Sequence, residues 1–102
     1  MYTHFPNLLA ELPAIPAGSI VSRTVYSDDR MKAILFAFAA GQELSEHTAA
    51  RPAILHILEG EADVTLGGAA FSAGPGFWAH MPPQLPHSIY AKTQVAMLLL
   101  MV

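Results

Sequence analysis

Residues 41–60 read GQELSEHTAARPAILHILEG, and residues 76–91 read GFWAHMPPQLPHSIYA. Each segment opens on a glycine, carries a histidine beside a polar or proline-rich loop, and contains a short apolar run. The connector between them includes Gly67-Gly68, in which both residues can take the positive φ of a two-residue hairpin turn. Short apolar runs between turn signals predict β-strands, and no sustained 3.6-residue period indicates a helix.

The chain around these two segments has the same character from residue 19 onward. We expect the turn over residues 39–42 to lead into a loop that runs through His47 to Pro52. Short strands separated by Gly and Pro predict an all-β protein, and a jelly-roll β-barrel would remove the exposed strand edges. The predicted strands are Ser19–Tyr26, Met31–Phe38, Ala53–Leu58, Ala62–Leu66, Ala69–Ser72, Phe77–Met81, His87–Ala91 and Val95–Met101.

The first 18 residues differ from the rest because prolines and glycine interrupt them repeatedly. They contain one short helical candidate, Asn7–Leu12, with Asn7 as its N-cap. Pro13 and Pro16 prevent its continuation. The sequence therefore predicts an N-terminal arm over residues 1–18 and a single β-barrel domain over residues 19–102.

Composition excludes several classes of function. The chain has no cysteine, so it offers neither disulfides nor thiolate ligands. Its five basic residues are scattered and its net charge is −3, which predicts no nucleic-acid partner. No apolar run approaches the ~20 residues of a membrane helix. We expect a cytoplasmic protein without a membrane partner, and the 53% hydrophobic content favours a homodimer.

The two quoted segments resemble the paired motifs of the cupin superfamily. The first matches the pattern G-x5-H-x-H-x(3,4)-E-x6-G at Gly41, His47 and Gly60. The second resembles G-x5-P-x-G-x2-H-x3-N and matches at Gly76, Pro82 and His87. The resemblance covers roughly residues 31–101 and implies a small single-domain cupin with a jelly-roll barrel.

The same resemblance implies an incomplete metal site. Metal-binding cupins take two histidines and a carboxylate from the first motif and a third histidine from the second. Here Ala49 stands at the second histidine position and Ala53 at the carboxylate position, so His47 and His87 remain. They are the expected metal ligands, for a divalent transition metal such as Zn, Ni, Fe or Mn. Gln84 and Ala91 also replace the Gly and Asn of the second motif.

Additional ligands must come from outside the family pattern. The candidates are His56, His80, Glu46 and Tyr90. Strand alternation places His56 on the face opposite Ala53, and it places His80 on the same face as Trp78. Alternation alone does not decide which of these faces lies inside the barrel.

Three functions remain open at this point. The first is a barrel that binds a small molecule and a weakly held metal at His47 and His87, with oxygenase or isomerase chemistry if it is an enzyme. The second resembles the metal-free sugar epimerases of the superfamily, with His47 or His87 as general base and Tyr90 as acid. The third is a non-catalytic binding or sensing module for a small-molecule ligand.

Overall fold

A computed structural model describes all residues from Met1 to Val102. One short 3-10 helix precedes nine strands, which form two antiparallel sheets, so the predicted all-β class is confirmed. The strands are β1 (Ile20–Ser27), β2 (Lys32–Phe38), β3 (Glu43–His47), β4 (Ala53–Glu59), β5 (Ala62–Leu66), β6 (Ala69–Ala73), β7 (Trp78–Met81), β8 (His87–Ala91) and β9 (Val95–Met101).

The two sheets have a jelly-roll arrangement. The five-stranded sheet has the order β1-β2-β9-β4-β7, and the four-stranded sheet has the order β3-β8-β5-β6. From β2 onward the chain crosses between the sheets at nearly every connection. Strand pairing does not join one sheet to the other, so both sheets keep edge strands that the predicted barrel closure would have removed.

The loop predicted to run through His47 to Pro52 is wrong in its first part. Residues Glu43–His47 form the edge strand β3, which pairs with β8. Only Leu44 of this strand is even partly buried. The pairing slips between Leu44 and His47, which marks a β-bulge in an otherwise polar edge strand. Pairing with β8 therefore forms this strand, since its own sequence shows no apolar alternation.

The core lies between the two sheets. Alternation along β4 turns Ala53, Leu55 and Ile57 inward, and all three are buried. They pack with residues of both sheets, among them Val64 and Ile89. Large apolar side chains therefore fill the space between the sheets.

The N-terminal arm covers part of the outer side of the five-stranded sheet. Its 3-10 turn spans Leu8–Glu11, and the Asn7 side chain accepts a hydrogen bond from the Leu9 N–H, as the capping prediction requires. Leu35 is fully buried although it faces away from the core cluster. The arm lies on this face, since Phe5 and Leu8 line a groove there together with Ala33 and with Leu98, the register partner of Leu35. None of the helical structure is long or apolar enough to cross a bilayer.

The turn between β1 and β2 is organised by one carboxylate. Asp28 accepts hydrogen bonds from the Tyr26 hydroxyl at 2.7 Å and from the N–H groups of Arg30 and Met31 at 2.8 Å. The Tyr26 hydroxyl, helped by the two N–H groups, holds the pKa of Asp28 below its usual value. The same contact raises the pKa of Tyr26.

Candidate functional site

His47 and His87 lie directly opposite each other at one end of the sandwich. His47 is the last residue of β3 and His87 is the first residue of β8, and the two are register partners. Their ring centroids are 4.2 Å apart, with an angle of 56° between the ring planes. We call this end the mouth. It comprises His47, His87 and the connecting segments 48–52 and 82–86.

The two histidines differ in their exposure. His87 is 6% exposed and is the only buried polar residue of the chain, whereas His47 is exposed. His87 belongs to the inward side of β8, beside the apolar positions Ile89 and Ala91. The pair thus connects the apolar interior to solvent.

Each ring is held by a carbonyl of its own strand or of the preceding loop. Nδ1 of His47 lies 2.8 Å from the Ser45 carbonyl oxygen, and Nδ1 of His87 lies 2.9 Å from the Leu85 carbonyl oxygen. A carbonyl oxygen can only accept a hydrogen bond, so each Nδ1 carries the proton. The lone pair of each neutral ring is therefore on Nε2.

Both Nε2 atoms remain available to a ligand. Neither makes a side-chain hydrogen bond within the protein. Nε2 of His87 has no hydrogen-bond partner in the protein, yet no buried side-chain nitrogen or oxygen is without one. This atom must therefore reach solvent, although the residue as a whole is buried. Two adjacent rings, each held through Nδ1 by a backbone carbonyl and each with a free Nε2, can coordinate a metal or accept a ligand's hydrogen bond.

The donor set falls short of a complete metal centre. With metal–nitrogen distances of about 2.1 Å, two imidazoles on one metal have ring centroids about 4.6 Å apart at a 90° angle and about 5.3 Å apart at the tetrahedral angle. The observed separation of 4.2 Å is shorter, so the rings would have to move slightly apart to share an ion. Catalytic zinc sites usually present three protein ligands. No group of three His, Cys, Asp or Glu side chains is placed to hold a metal.

The structure does not bring the other candidate ligands to the mouth. His56 faces outward from β4, opposite the buried Leu55, and His80 lies on the same outer face through its pairing with Ile54. Tyr90 is 40% exposed on the outer side of β8, paired with Glu43 and Asp63. Glu46 belongs to the bulged part of β3 and is exposed.

Gln84, which replaces the glycine of the second motif, lies in the mouth. It is the only non-glycine residue with a positive φ, 66°, and its N–H donates to the Ala49 carbonyl oxygen at 2.7 Å. This bond ties segment 48–52 to segment 82–86. The family motif has a glycine at position 84, and that glycine was the sequence signal for a left-handed residue. Gln84 keeps the left-handed conformation in place of the glycine.

The strain at Gln84 gives a stability prediction. A side chain in the left-handed region costs about 1–2 kcal/mol, of which glycine's greater freedom in the unfolded chain cancels a part. We expect Gln84→Gly to raise the free energy of unfolding by about 0.5–1 kcal/mol, as measured by urea denaturation. The control is Gln42→Gly, at a position without positive φ. It should lower the free energy of unfolding, and equal effects of the two substitutions would contradict the prediction.

Comparison with solved structures supports the fold over the whole chain. An RmlC-like cupin protein from Desulfovibrio desulfuricans is 30% identical with a TM-score of 0.84, and the match covers 100% of this chain and 96% of the other. A cupin superfamily protein from Desulfitobacterium hafniense is 26% identical with a TM-score of 0.87, covering 100% and 94%. The salicylate 1,2-dioxygenase of Pseudoaminobacter salicylatoxidans is 19% identical with a TM-score of 0.76, covering 87% and 28%.

The last of these matches concerns the fold alone because of its low identity. No curated protein matches the chain. The model of the cupin domain family matches residues 34–102, which include β3, β8 and both histidines of the mouth. The jelly-roll topology, the two half-motifs and this match lead to one conclusion: the chain belongs to the cupin family.

Proposed function

We propose that this chain binds a small molecule at the mouth and that Nε2 of His47 and Nε2 of His87 are the recognition atoms. The single observation that supports this proposal is the anchoring of both Nδ1–H groups by backbone carbonyls, which leaves a free Nε2 on each of two adjacent rings. Contact with the ligand is either direct or through a divalent transition metal that the two rings hold weakly.

The residues of the mouth have separate tasks in this proposal. His87 projects from the inward side of β8 and presents its Nε2 at the boundary of the core. His47 is exposed and meets the ligand from the solvent side. A metal bound by both rings would supply Lewis acidity to the ligand. The apolar residues beneath the pair exclude water from one side of the ligand.

A metal titration tests the proposal. We expect one Ni²⁺ ion to bind per chain, because two imidazoles form one site, and His87→Ala to weaken binding at least tenfold. Isothermal titration gives the affinity, and long-range ¹H–¹⁵N NMR identifies the ring nitrogen that responds. The matched control is His80→Ala, which removes an imidazole from the opposite sheet and should leave the affinity unchanged. Absence of Ni²⁺ binding, or an equal loss in both variants, would contradict metal binding at this pair.

Direct recognition predicts a different result in the same system. Native mass spectrometry of the chain as purified should show a bound small molecule that His87→Ala loses and His80→Ala keeps. If the complex survives a chelator, the two rings contact the ligand themselves. If the chelator releases it, a metal lies between them. A molecule that both variants retain would place binding elsewhere.

A metal-free general base at the same pair is a second candidate. A neutral imidazole whose Nδ1–H is fixed by a carbonyl presents Nε2 as a proton acceptor, and this is the arrangement at both rings. Tyr90 would not serve as its acid partner because it lies on the other face of β8. This candidate predicts chelator-independent turnover that either histidine substitution abolishes, whereas a sensing module predicts binding without turnover.

A further inference from the structure

The basic side chains of the protein fall into two groups by their partners. Arg23 lies 3.4 Å from the Glu11 carboxylate, and Lys92 lies 3.1 Å from the Asp63 carboxylate. The other basic residues form no ion pair; they are Arg30, Lys32 and Arg51. These three are the side chains whose positive charge remains for a ligand.

Lys32 projects from the inward side of β2. It shares this side with Phe36, which packs against the core, and with Phe38, which belongs to it. Lys32 is half-buried, and its ammonium group has no counter-ion within the chain. Partial burial of an unpaired charge is unfavourable, and a bound anion would relieve it.

Lys32 also lies at the mouth end of the sandwich. Residues 39–42 join β2 to β3, so the start of β2 at Lys32 and the end of β3 at His47 lie at one end. The register agrees, because Lys32 pairs with Met101 and Met101 pairs with Ala53, the first strand residue after the mouth segment. Lys32 therefore faces the interior at the end that holds the two histidines.

Arg51 adds a second cation beside Lys32. Its Nη2 donates a hydrogen bond to the Arg30 carbonyl oxygen at 2.9 Å, which ties segment 48–52 of the mouth to the turn that leads into Lys32. This bond uses one of the five N–H groups of a guanidinium, so others remain for a ligand. Two unpaired cations are thus held at one side of the mouth.

The carboxylates at this end do not pair with the two cations. Asp28 is bound by the Tyr26 hydroxyl and by two backbone N–H groups. Asp29 and Glu46 are exposed and form no ion pair. These three negative charges lower the electrostatic potential around the mouth, so they favour a singly charged anion over a dianion such as a phosphate monoester.

The surfaces between the cations and the histidines are apolar. In the five-stranded sheet the inward row that begins at Lys32 continues through Met101, Ala53 and Met81. In the four-stranded sheet Leu66 pairs with His87 and packs against the core. A ligand that spans the mouth therefore contacts apolar side chains along its length.

We propose that the ligand of the mouth is a small monocarboxylate with an apolar body, and that Lys32 and Arg51 pair with its carboxylate. This inference rests on the proposed binding at His47 and His87 and names the chemical class of the ligand. Because both free Nε2 atoms accept hydrogen bonds, the other end of the ligand carries a hydroxyl or amino donor.

The two cations act on a metal and on an anion in opposite directions. Positive charge near the histidines repels a divalent ion and attracts a carboxylate. It therefore favours direct contact between the rings and the ligand over a metal bridge. The same opposition separates an electrostatic role of Lys32 from a structural one, because a structural loss would weaken the binding of both.

Paired ligands test the charge of the ligand. The carboxylates para-hydroxybenzoate, mandelate and phenyllactate are each compared with their primary amide by ¹H–¹⁵N NMR titration of the full chain. We expect the best-bound carboxylate to bind at least about tenfold more tightly than its amide, as a charge-assisted hydrogen bond allows. Phenyl phosphate should bind more weakly than this carboxylate. An amide that binds equally well, a preference for phenyl phosphate, or no binding in the panel would overturn the proposal.

A charge substitution tests Lys32. Lys32→Gln should weaken carboxylate binding at least about tenfold, leave amide binding unchanged and strengthen Ni²⁺ binding about threefold. Lys32→Arg keeps the charge and should retain the preference for the carboxylate. The matched control is Lys92→Gln, which removes the same charge after β8 at the opposite end and should change neither affinity. A loss of carboxylate and Ni²⁺ binding together in Lys32→Gln would indicate a structural role and overturn the proposal.

His87→Ala separates this inference from the proposed function. If it abolishes carboxylate binding while Lys32→Gln and Arg51→Gln do not weaken it, the mouth stands as the binding site and the carboxylate pairing is overturned. If Lys32→Gln weakens binding while His87→Ala does not, the pairing stands and the role of the histidines is contradicted. Far-ultraviolet circular dichroism establishes that each variant is folded.

Discussion

Gly60→Ala is expected to lower the free energy of unfolding by about 2–4 kcal/mol, combining the net cost of a left-handed side chain with that of overpacking. Gly60 has a φ of 87°, and a Cβ built on it would overlap the Gln94 carbonyl oxygen. That oxygen is backbone and begins the turn into β9, so no flexible side chain can move aside. Domains of this size are stable by about 5–15 kcal/mol, so the loss is a large part of the total.

Gly41→Ala is the matched comparison. Gly41 has nearly the same φ, 85°, but no atom lies within 4 Å of an added Cβ. It should therefore cost only the conformational strain, partly offset by alanine's smaller freedom in the unfolded chain, a net loss of about 0.5–1 kcal/mol. Urea denaturation of both variants with unchanged m-values gives the difference. Equal losses would show that the chain at Gln94 yields to the added atom and that steric contact does not restrict residue 60.

Ala49→His is expected to strengthen Ni²⁺ or Zn²⁺ binding by at least about a hundred-fold, the gain that a further linked binding group can provide. Residue 49 occupies the second histidine position of the family motif, and its carbonyl oxygen is bonded to the Gln84 N–H. This bond fixes residue 49 beside the segment that leads into His87. A third imidazole there would bring the donor set to the three that catalytic sites usually have.

The control for this gain is Ala50→His, which adds the same imidazole one residue further along an exposed segment. It should bind metal no more tightly than the unmodified chain. Adding His87→Ala to Ala49→His should abolish most of the gain, because the three rings act on one ion. A gain that is equal for residues 49 and 50, or that does not need His87, would place the ion away from the mouth.

Most of the fold followed from local patterns, and the exception has a physical reason. The Val-, Ile- and Phe-rich strands were predicted because apolar alternation and Gly/Pro turns mark them in the sequence. The strand β3 was missed because Leu44 is its only partly buried residue and pairing with β8 alone makes it extended. Edge strands that face solvent show little apolar alternation, so the sequence alone does not identify them as strands.

The site was predictable in its residues but not in its chemistry. The family pattern named His47 and His87, and alternation left open which face of β4 is interior until the burial of Leu55 showed it. The roles of Ser45 and Leu85 had no sequence signal, because a backbone carbonyl is available at every residue. The left-handed φ of Gln84 was signalled only by the glycine that the motif expects there.

The anchoring of the two rings also has a consequence for rates. Because each imidazole is already oriented by a carbonyl of residue 45 or 85, neither ring has to turn when a ligand arrives. The association rate of a ligand should therefore be governed by diffusion and by the release of water from Nε2. Differences in affinity among ligands would then appear almost entirely in how long each one stays bound.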